Sequence, residues 1–268
     1  MNIGFIGCGN MAQPIISGVI NSCVYSAECV YVYDTDSEKM KTFCEKVGAQ
    51  MLSNEAEIAL RCDCVFLCIK PQGFDALLTK IAPQLNEKKP FIVSIAAGKT
   101  TDFVADYLAD GARIGRIFPN LNASVSQSAS AYCVNSACNH EDLLLLGKIC
   151  ESFGTALLYP EEMFSQFGVL GGCSPAYTFM YIDSLAKAAE KNGMARDVAL
   201  KTAIQAVLGS AMFMMQSGIE PEILIDRVCS KGGTTIEGVL CLRENNFPGL
   251  VCNAYESSLR RDLELSKS

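Results

Sequence analysis

The chain has 268 residues, 50% apolar and 19% charged, enough for two domains around well-buried cores and far from the composition of a disordered protein. A net charge of −7 excludes nucleic acid and anionic membranes as main partners, because both select clustered lysine and arginine; any anionic ligand is expected to be held locally, by backbone N–H groups and a few side chains. Fourteen cysteines spread over a core-forming chain, with no export signal and no continuous apolar run of membrane length, read as reduced, mostly buried thiols in a cytoplasmic protein.

Ile3-Gly4-Phe5-Ile6 predicts a short buried strand. Gly7-Cys8-Gly9-Asn10-Met11-Ala12 follows it and opens a helix marked by Ile15, Ile16, Val19 and Ile20. That is G-x-G-x-x-A in the strand–turn–helix setting a dinucleotide requires: the first glycine makes the turn, the second admits a pyrophosphate, and the small third residue lets helix pack on strand. A second strand, Val30-Tyr31-Val32-Tyr33, ends at Asp34, about 20 residues beyond the glycines, where a carboxylate bonds the adenosine ribose hydroxyls. A dinucleotide is therefore expected, with Gly7 to Met11 and Asp34 along its path. The Asp34 charge opposes a 2′-phosphate and no arginine follows in Thr35-Asp36-Ser37, although Lys39 and Lys41 are near, which favours NADH over NADPH.

A helix is predicted from about Glu38 to Val47, with Met40, Phe43, Cys44 and Val47 on one face, then a short helix and a continuous apolar strand, Cys64 to Ile69, ending in Lys70-Pro71-Gln72. Phe91 to Ile95 is another strand, ending in Ala96-Ala97-Gly98, and Arg113 to Phe118 a further one, ending in Pro119-Asn120. In a doubly wound sheet these strand ends lie on the ligand side, so Lys70, Gly98 and Asn120 are expected near the cofactor. Ser124 to Val134 is an alternating stretch suited to completing the sheet; a helix from about Glu141 to Phe153 and a strand from Thr155 to Tyr159 close a domain of residues 1–160. His140, the only histidine, reads as a surface or capping residue, and Cys62, Cys64 and Cys68 lack the paired spacing of a metal site.

Residues 161–268 form an all-helical half, with helices predicted near 175–191, 196–216 and 247–265, Pro175 suiting a first turn and Gly193 a stop. The middle helix carries Ala199, Ala203, Ala206, Gly209, Ala211, Met212, Met214 and Met215 and has too little polar face to stand in water, so a homodimer interlocked through these helices is expected. Gly232-Gly233-Thr234-Thr235-Ile236 reads as a tight turn feeding a helix N-terminus, a place for a carboxylate or phosphate. An ordinary helix start capped by Thr234 or Thr235 fits the same residues.

In order and spacing, Gly4-Phe5-Ile6-Gly7-Cys8-Gly9-Asn10-Met11, Lys70-Pro71-Gln72, Ser94-Ile95-Ala96-Ala97-Gly98, Pro119-Asn120, Ser174-Pro175-Ala176-Tyr177 and Gly232-Gly233-Thr234-Thr235-Ile236 resemble the pyrroline-5-carboxylate reductases over essentially the whole chain. The resemblance implies an α/β protein: an N-terminal Rossmann-like dinucleotide-binding domain, 1–160, followed by an all-α dimerisation and substrate domain, 161–268. It also implies reduction of L-1-pyrroline-5-carboxylate, a cyclic imino acid, to L-proline by NADH or NADPH, in dimers that assemble into larger rings. By the same resemblance, Ser230 and Gly232, Gly233 and Thr234 hold the substrate carboxylate, and Thr235 faces the ring nitrogen. Tyr177 and Ser174 neighbour the substrate, while Gly7 to Met11, Lys70, Pro71, Ala97, Gly98 and Asn120 lie on the cofactor side. The chain departs from the family pattern at Gly171 and Cys173, where serines are usual, and at Leu121 and Lys231, the latter replacing a proline. These departures leave two rivals: a reductase of another cyclic imine, and a diverged paralogue that binds a nucleotide or small acid without turnover.

Overall fold

The computed structural model describes residues 1–265; residues 266–268, the end of the expected helical domain, lie outside the described residues. The described residues divide into two compact units, 1–172 with 262–265, and Cys173–Arg261.

The first unit alternates strand and helix: β1 (Ile3–Ile6), α1 (Ala12–Asn21), β2 (Val30–Tyr33), α2 (Ser37–Val47), β3 (Gln50–Met51), α3 (Glu55–Arg61), β4 (Cys64–Leu67), α4 (Phe74–Lys88), β5 (Phe91–Ser94), α5 (Thr101–Ala105), β6 (Ile114–Phe118), β7 (Ser128–Val134), α6 (His140–Glu151), β8 (Gly154–Leu158) and α7 (Phe164–Gly168). One sheet runs β3-β2-β1-β4-β5-β6-β7-β8, parallel from β3 through β6, with β7 antiparallel to β6 and β8 parallel to β7. The period of two along each strand sorts its side chains into two cores. Ile3, Phe5, Val30, Val32, Cys64, Phe66, Phe91 and Val93 meet α1, α2 and α6 through Ile15, Ile16, Val19, Phe43, Leu146 and Ile149, with Phe153 just beyond α6. The intervening Ile6, Tyr31, Val65, Leu67 and Ile92 meet α3 and α4 through Ile58, Phe74, Leu77, Leu78, Ile81 and Leu85. Strands buried on both faces read as unbroken apolar runs, which is why the sequence located them.

The structure differs from expectation in several places, among them the unexpected short β3 and α5. No element is expected between Gln72 and Phe91, yet α4 fills it; Phe74, Leu77, Leu78, Ile81 and Leu85 carry the helical spacing, masked by Pro83 inside the helix. β4 stops at Leu67, short of the expected Ile69, and Lys70 stands extended ahead of a 3-10 turn, Pro71–Gly73. The stretch from Ser124 is not strand throughout: Asn120 caps a 3-10 turn, Leu121–Val125, by accepting the Asn122 N–H, and β7 begins only at Ser128. His140 opens α6 directly after Asn139, whose side chain forms a reciprocal capping box with Asp142.

The second unit comprises α8 (Ser174–Lys191), α9 (Arg196–Ser217), α10 (Pro221–Val228), α11 (Thr234–Glu244) and most of α12 (Phe247–Leu265). α8 and α9 meet through small residues, Ala186 against Ala199 and Ala203, which lets their backbones come close. Arg196 pairs with Asp183 across the same junction. Elsewhere α9 is uncovered within one chain: Leu208, Met212, Phe213, Met214 and Met215 are exposed, Met215 at 73%. By length and composition α9 is apolar enough to cross a membrane, although Lys201 and Gln205 interrupt any continuous apolar run.

Candidate active site

Because β1 to β6 are parallel, their carboxyl ends fall on one edge of the sheet, and the strand order reverses between β1 and β4. The crevice at such a switch point is where open α/β sheets bind nucleotides. Gly7 to Met11 leave β1 and Lys70-Pro71 leave β4, so these two segments flank it; Asp34, Ala97-Gly98 and Asn120 follow β2, β5 and β6 on the same edge. All eleven residues expected on the cofactor side thus share one edge of the first unit.

Gly7 has φ +105°, and a Cβ there would lie 2.5 Å from the Cys68 carbonyl oxygen, so β1 and β4 close on each other only because the side chain is absent. At Gly9 a Cβ would meet nothing within 4 Å. Cys8 is fully buried and presents only backbone; burial raises its thiol pKa, so it stays protonated. Its N–H donates to Asp34 Oδ2 at 2.5 Å, and Asp34 Oδ1 accepts the Asp36 N–H at 2.9 Å. Asp34 therefore joins the glycine turn to the β2–α2 loop, a role with no local sequence signal because the partner lies 26 positions away. Asn10, Asp36, Lys39, Thr42 and Lys46 line one open groove beside α1 and α2 that carries charges of both signs.

Asn120 is buried and committed: its Nδ2 donates to the Gly171 carbonyl at 2.9 Å and its backbone N–H to Ser128 Oγ at 3.1 Å. It ties the β6 end to the π-helical turn Val169–Cys173. A Cβ at Gly171 would meet only ordinary contacts, from 3.6 Å outward, so space alone does not call for glycine there.

In the second unit, Gly232 has φ +71° and Gly233 occupies the cap position of α11. Neither Thr234 nor Thr235 caps the helix: the extended cap conformation falls on Gly233, which has no side chain to offer. The Gly233 N–H donates to the Ser230 carbonyl at 3.0 Å, and a Cβ on Gly233 would sit 2.3 Å from Ser230 Oγ. The glycine thus lets the Ser230 hydroxyl lie over the helix start. Ser230, Thr234 and Thr235 are exposed, with first-turn N–H groups that no side chain caps, an arrangement suited to a carboxylate.

Tyr177 is half-buried on α8. Its hydroxyl hydrogen-bonds Ser258 Oγ at 2.6 Å and lies 3.3 Å from the Ala254 carbonyl, tying α8 to α12. Removing that hydroxyl in Tyr177→Phe is expected to cost about 1 kcal/mol of stability, read as a lowered urea midpoint at unchanged slope. Ser174 is the first residue of the same helix.

Residues 161–265 match a family model described as pyrroline-5-carboxylate reductase dimerisation, and residues 2–98 one described as NADP oxidoreductase, coenzyme F420-dependent. The pyrroline-5-carboxylate reductase of Escherichia coli K12 is 37% identical over 266 residues, which are 99% of this chain and 98% of that protein. The chain belongs to the pyrroline-5-carboxylate reductase family. A second reductase, from Methanosarcina acetivorans, is 33% identical over 99% of this chain and 98% of its own length. The solved pyrroline-5-carboxylate reductase of Coxiella burnetii superposes with TM-score 0.93 at 30% identity, over 100% of this chain and 99% of that one. A Plasmodium falciparum pyrroline carboxylate reductase solved with NADP bound gives 0.87 at 26%, over 99% and 98%. The exposed apolar side of α9 falls within the segment matching the dimerisation model, consistent with a homodimer.

Proposed function

We infer that the protein reduces L-1-pyrroline-5-carboxylate to L-proline, the last step of proline biosynthesis, with NADH or NADPH as hydride donor. The observation that carries this reading is the α11 start: an uncapped helix N-terminus with Ser230, Thr234 and Thr235 exposed around it, in a chain of this family. A protonated cyclic imine is already a good hydride acceptor. When bound, the reduced nicotinamide would supply the hydride to C5 and be oxidised as the C=N π pair passes to nitrogen. The protein need only anchor the carboxylate, align C5 with the nicotinamide and offer a partner to the nitrogen.

In this reading Ser230, Gly232, Gly233 and Thr234 hold the carboxylate, Thr235 presents its hydroxyl to the ring nitrogen, and Ser174 and Tyr177 neighbour the substrate. Gly7, Cys8, Gly9, Asn10, Met11, Asp34, Lys70, Pro71, Ala97, Gly98 and Asn120 serve the dinucleotide, Cys8 through its backbone and Asn120 by holding its turn. Residues 1–160 are the nucleotide domain and 161–268 the dimerisation and substrate domain, the second start supported by the span of the family match. All fourteen cysteines are free, which supports a cytoplasmic location.

The test is the absorbance of NADH, and separately NADPH, on adding pyrroline-5-carboxylate to the purified protein. Oxidation is expected, and its rate ranks the two cofactors. Binding of both nucleotides without oxidation of either would overturn the reading in favour of a non-catalytic paralogue.

A further inference from the structure

The loop between β5 and α5 carries Ala97 and Gly98, and its far end is held by a group that none of the site motifs contains. Glu161, three residues after β8, accepts the Thr101 N–H through Oε1 at 2.9 Å and the Thr101 hydroxyl through Oε2 at 2.6 Å. Its Oε1 also takes Arg116 Nη1 at 2.9 Å. Arg116, on β6, is only 5% exposed, its guanidinium lies over the Phe164 ring at 4.9 Å, and its Nε has no hydrogen-bond partner. Among the described residues, Glu161 is thus the one carboxylate paired with this buried cation. At the strand end of the loop, Ser94 Oγ accepts the Ala96 N–H at 3.2 Å, and midway Lys99 lies 3.8 Å from Asp75 at the start of α4.

On the reading above that Ala97 and Gly98 face the dinucleotide, we propose that Glu161 and Thr101 are positioning residues for the nicotinamide cofactor. They set the height of the Ala97-Gly98 loop against the sheet edge, with Arg116 fixing the carboxylate in turn. The Lys99–Asp75 contact is long and its carboxylate exposed, so the pair contributes little to this hold. The Glu161 bonds are short, charge-assisted and partly buried, and they end on a backbone N–H as well as a side chain. Loss of the clamp therefore frees the loop while the cores on both faces of the sheet stay intact. Cofactor affinity should respond, and the imine, anchored by residues of another unit, should respond far less.

The test uses the full-length enzyme with Glu161→Gln and Thr101→Val, measuring NADH dissociation constant by fluorescence titration, KM for each substrate, kcat, and Tm. Glu161→Gln is expected to raise the NADH dissociation constant and cofactor KM about tenfold, and Thr101→Val about threefold, since each loses part of a charge-assisted set. The KM for pyrroline-5-carboxylate should stay within about twofold of wild type, the scale of an exposed, uncoupled change. Unchanged NADH affinity in either folded variant would overturn the proposal, as would an equal rise in both KM values accompanied by a fall in Tm, the mark of general destabilisation. If Glu161→Gln does not fold, Thr101→Val decides, because it leaves the Arg116–Glu161 pair in place. Wild-type enzyme that binds NADH but never oxidises it would sink the assigned reaction and not this positioning role, which the titration reads directly.

Discussion

Gly7→Ala is expected to abolish dinucleotide binding and to destabilise the first unit by about 3 kcal/mol, combining left-handed backbone strain with a steric clash. Two independent costs act at the position. The backbone sits at φ +105°, where an L-residue is strained, and the added methyl would lie 2.5 Å from the Cys68 oxygen and 2.8 Å from its carbon. Both obstructing atoms are backbone, so no rotamer change relieves the clash, and β1 and β4 would have to part at the switch point. The neighbouring Cys8 N–H would then leave Asp34, loosening the glycine turn and the β2–α2 loop together. NADH titration and urea unfolding check both halves; an alanine variant with wild-type NADH affinity would mean that the turn tolerates what its geometry forbids. Gly9→Ala is the control, because a Cβ there meets nothing and any loss it shows is loss of ligand space, not of stability.

Thr235→Ala is expected to lower kcat/KM for pyrroline-5-carboxylate about 100-fold, the lower range for removing a positioned proton partner. The side chain is exposed on the first turn of α11 and does not cap it. Alanine at an exposed helical position favours the helix by a few tenths of a kcal/mol, roughly. Tm should therefore hold or rise slightly while turnover collapses, with NADH affinity unchanged. Thr235→Ser keeps the hydroxyl and should recover most of the rate. A Thr235→Ala enzyme within about threefold of wild type, where surface changes usually fall, would remove Thr235 from the reaction.

Much of this was legible in the residues. Ile3 to Ile6, Val30 to Tyr33, Cys64 to Leu67 and Phe91 to Ser94 are apolar runs bounded by turn residues, and each is a central strand of the sheet. The glycine turn, the helical second half and the over-apolar α9 were readable in the same way, since period, composition and glycine placement are properties of neighbours in sequence. α4 was hidden by Pro83, and β3 was too short and exposed to leave a pattern.

Site chemistry divides along the same line. By itself the sequence determined which residue types stand at the strand ends and the α11 start, where glycines, hydroxyls and backbone N–H groups are what the chain offers an anion. Only the tertiary structure decided what the polar groups there do. Asp34 is committed to the Cys8 N–H, Asn120 to the Gly171 carbonyl 51 positions on, Tyr177 to α12, and Glu161 to Thr101 and Arg116, 60 and 45 positions away. Hydrogen bonds of such long range leave no periodic trace, because they depend on where the folded chain brings a donor to an acceptor, and burial makes each of them costly to leave unmade.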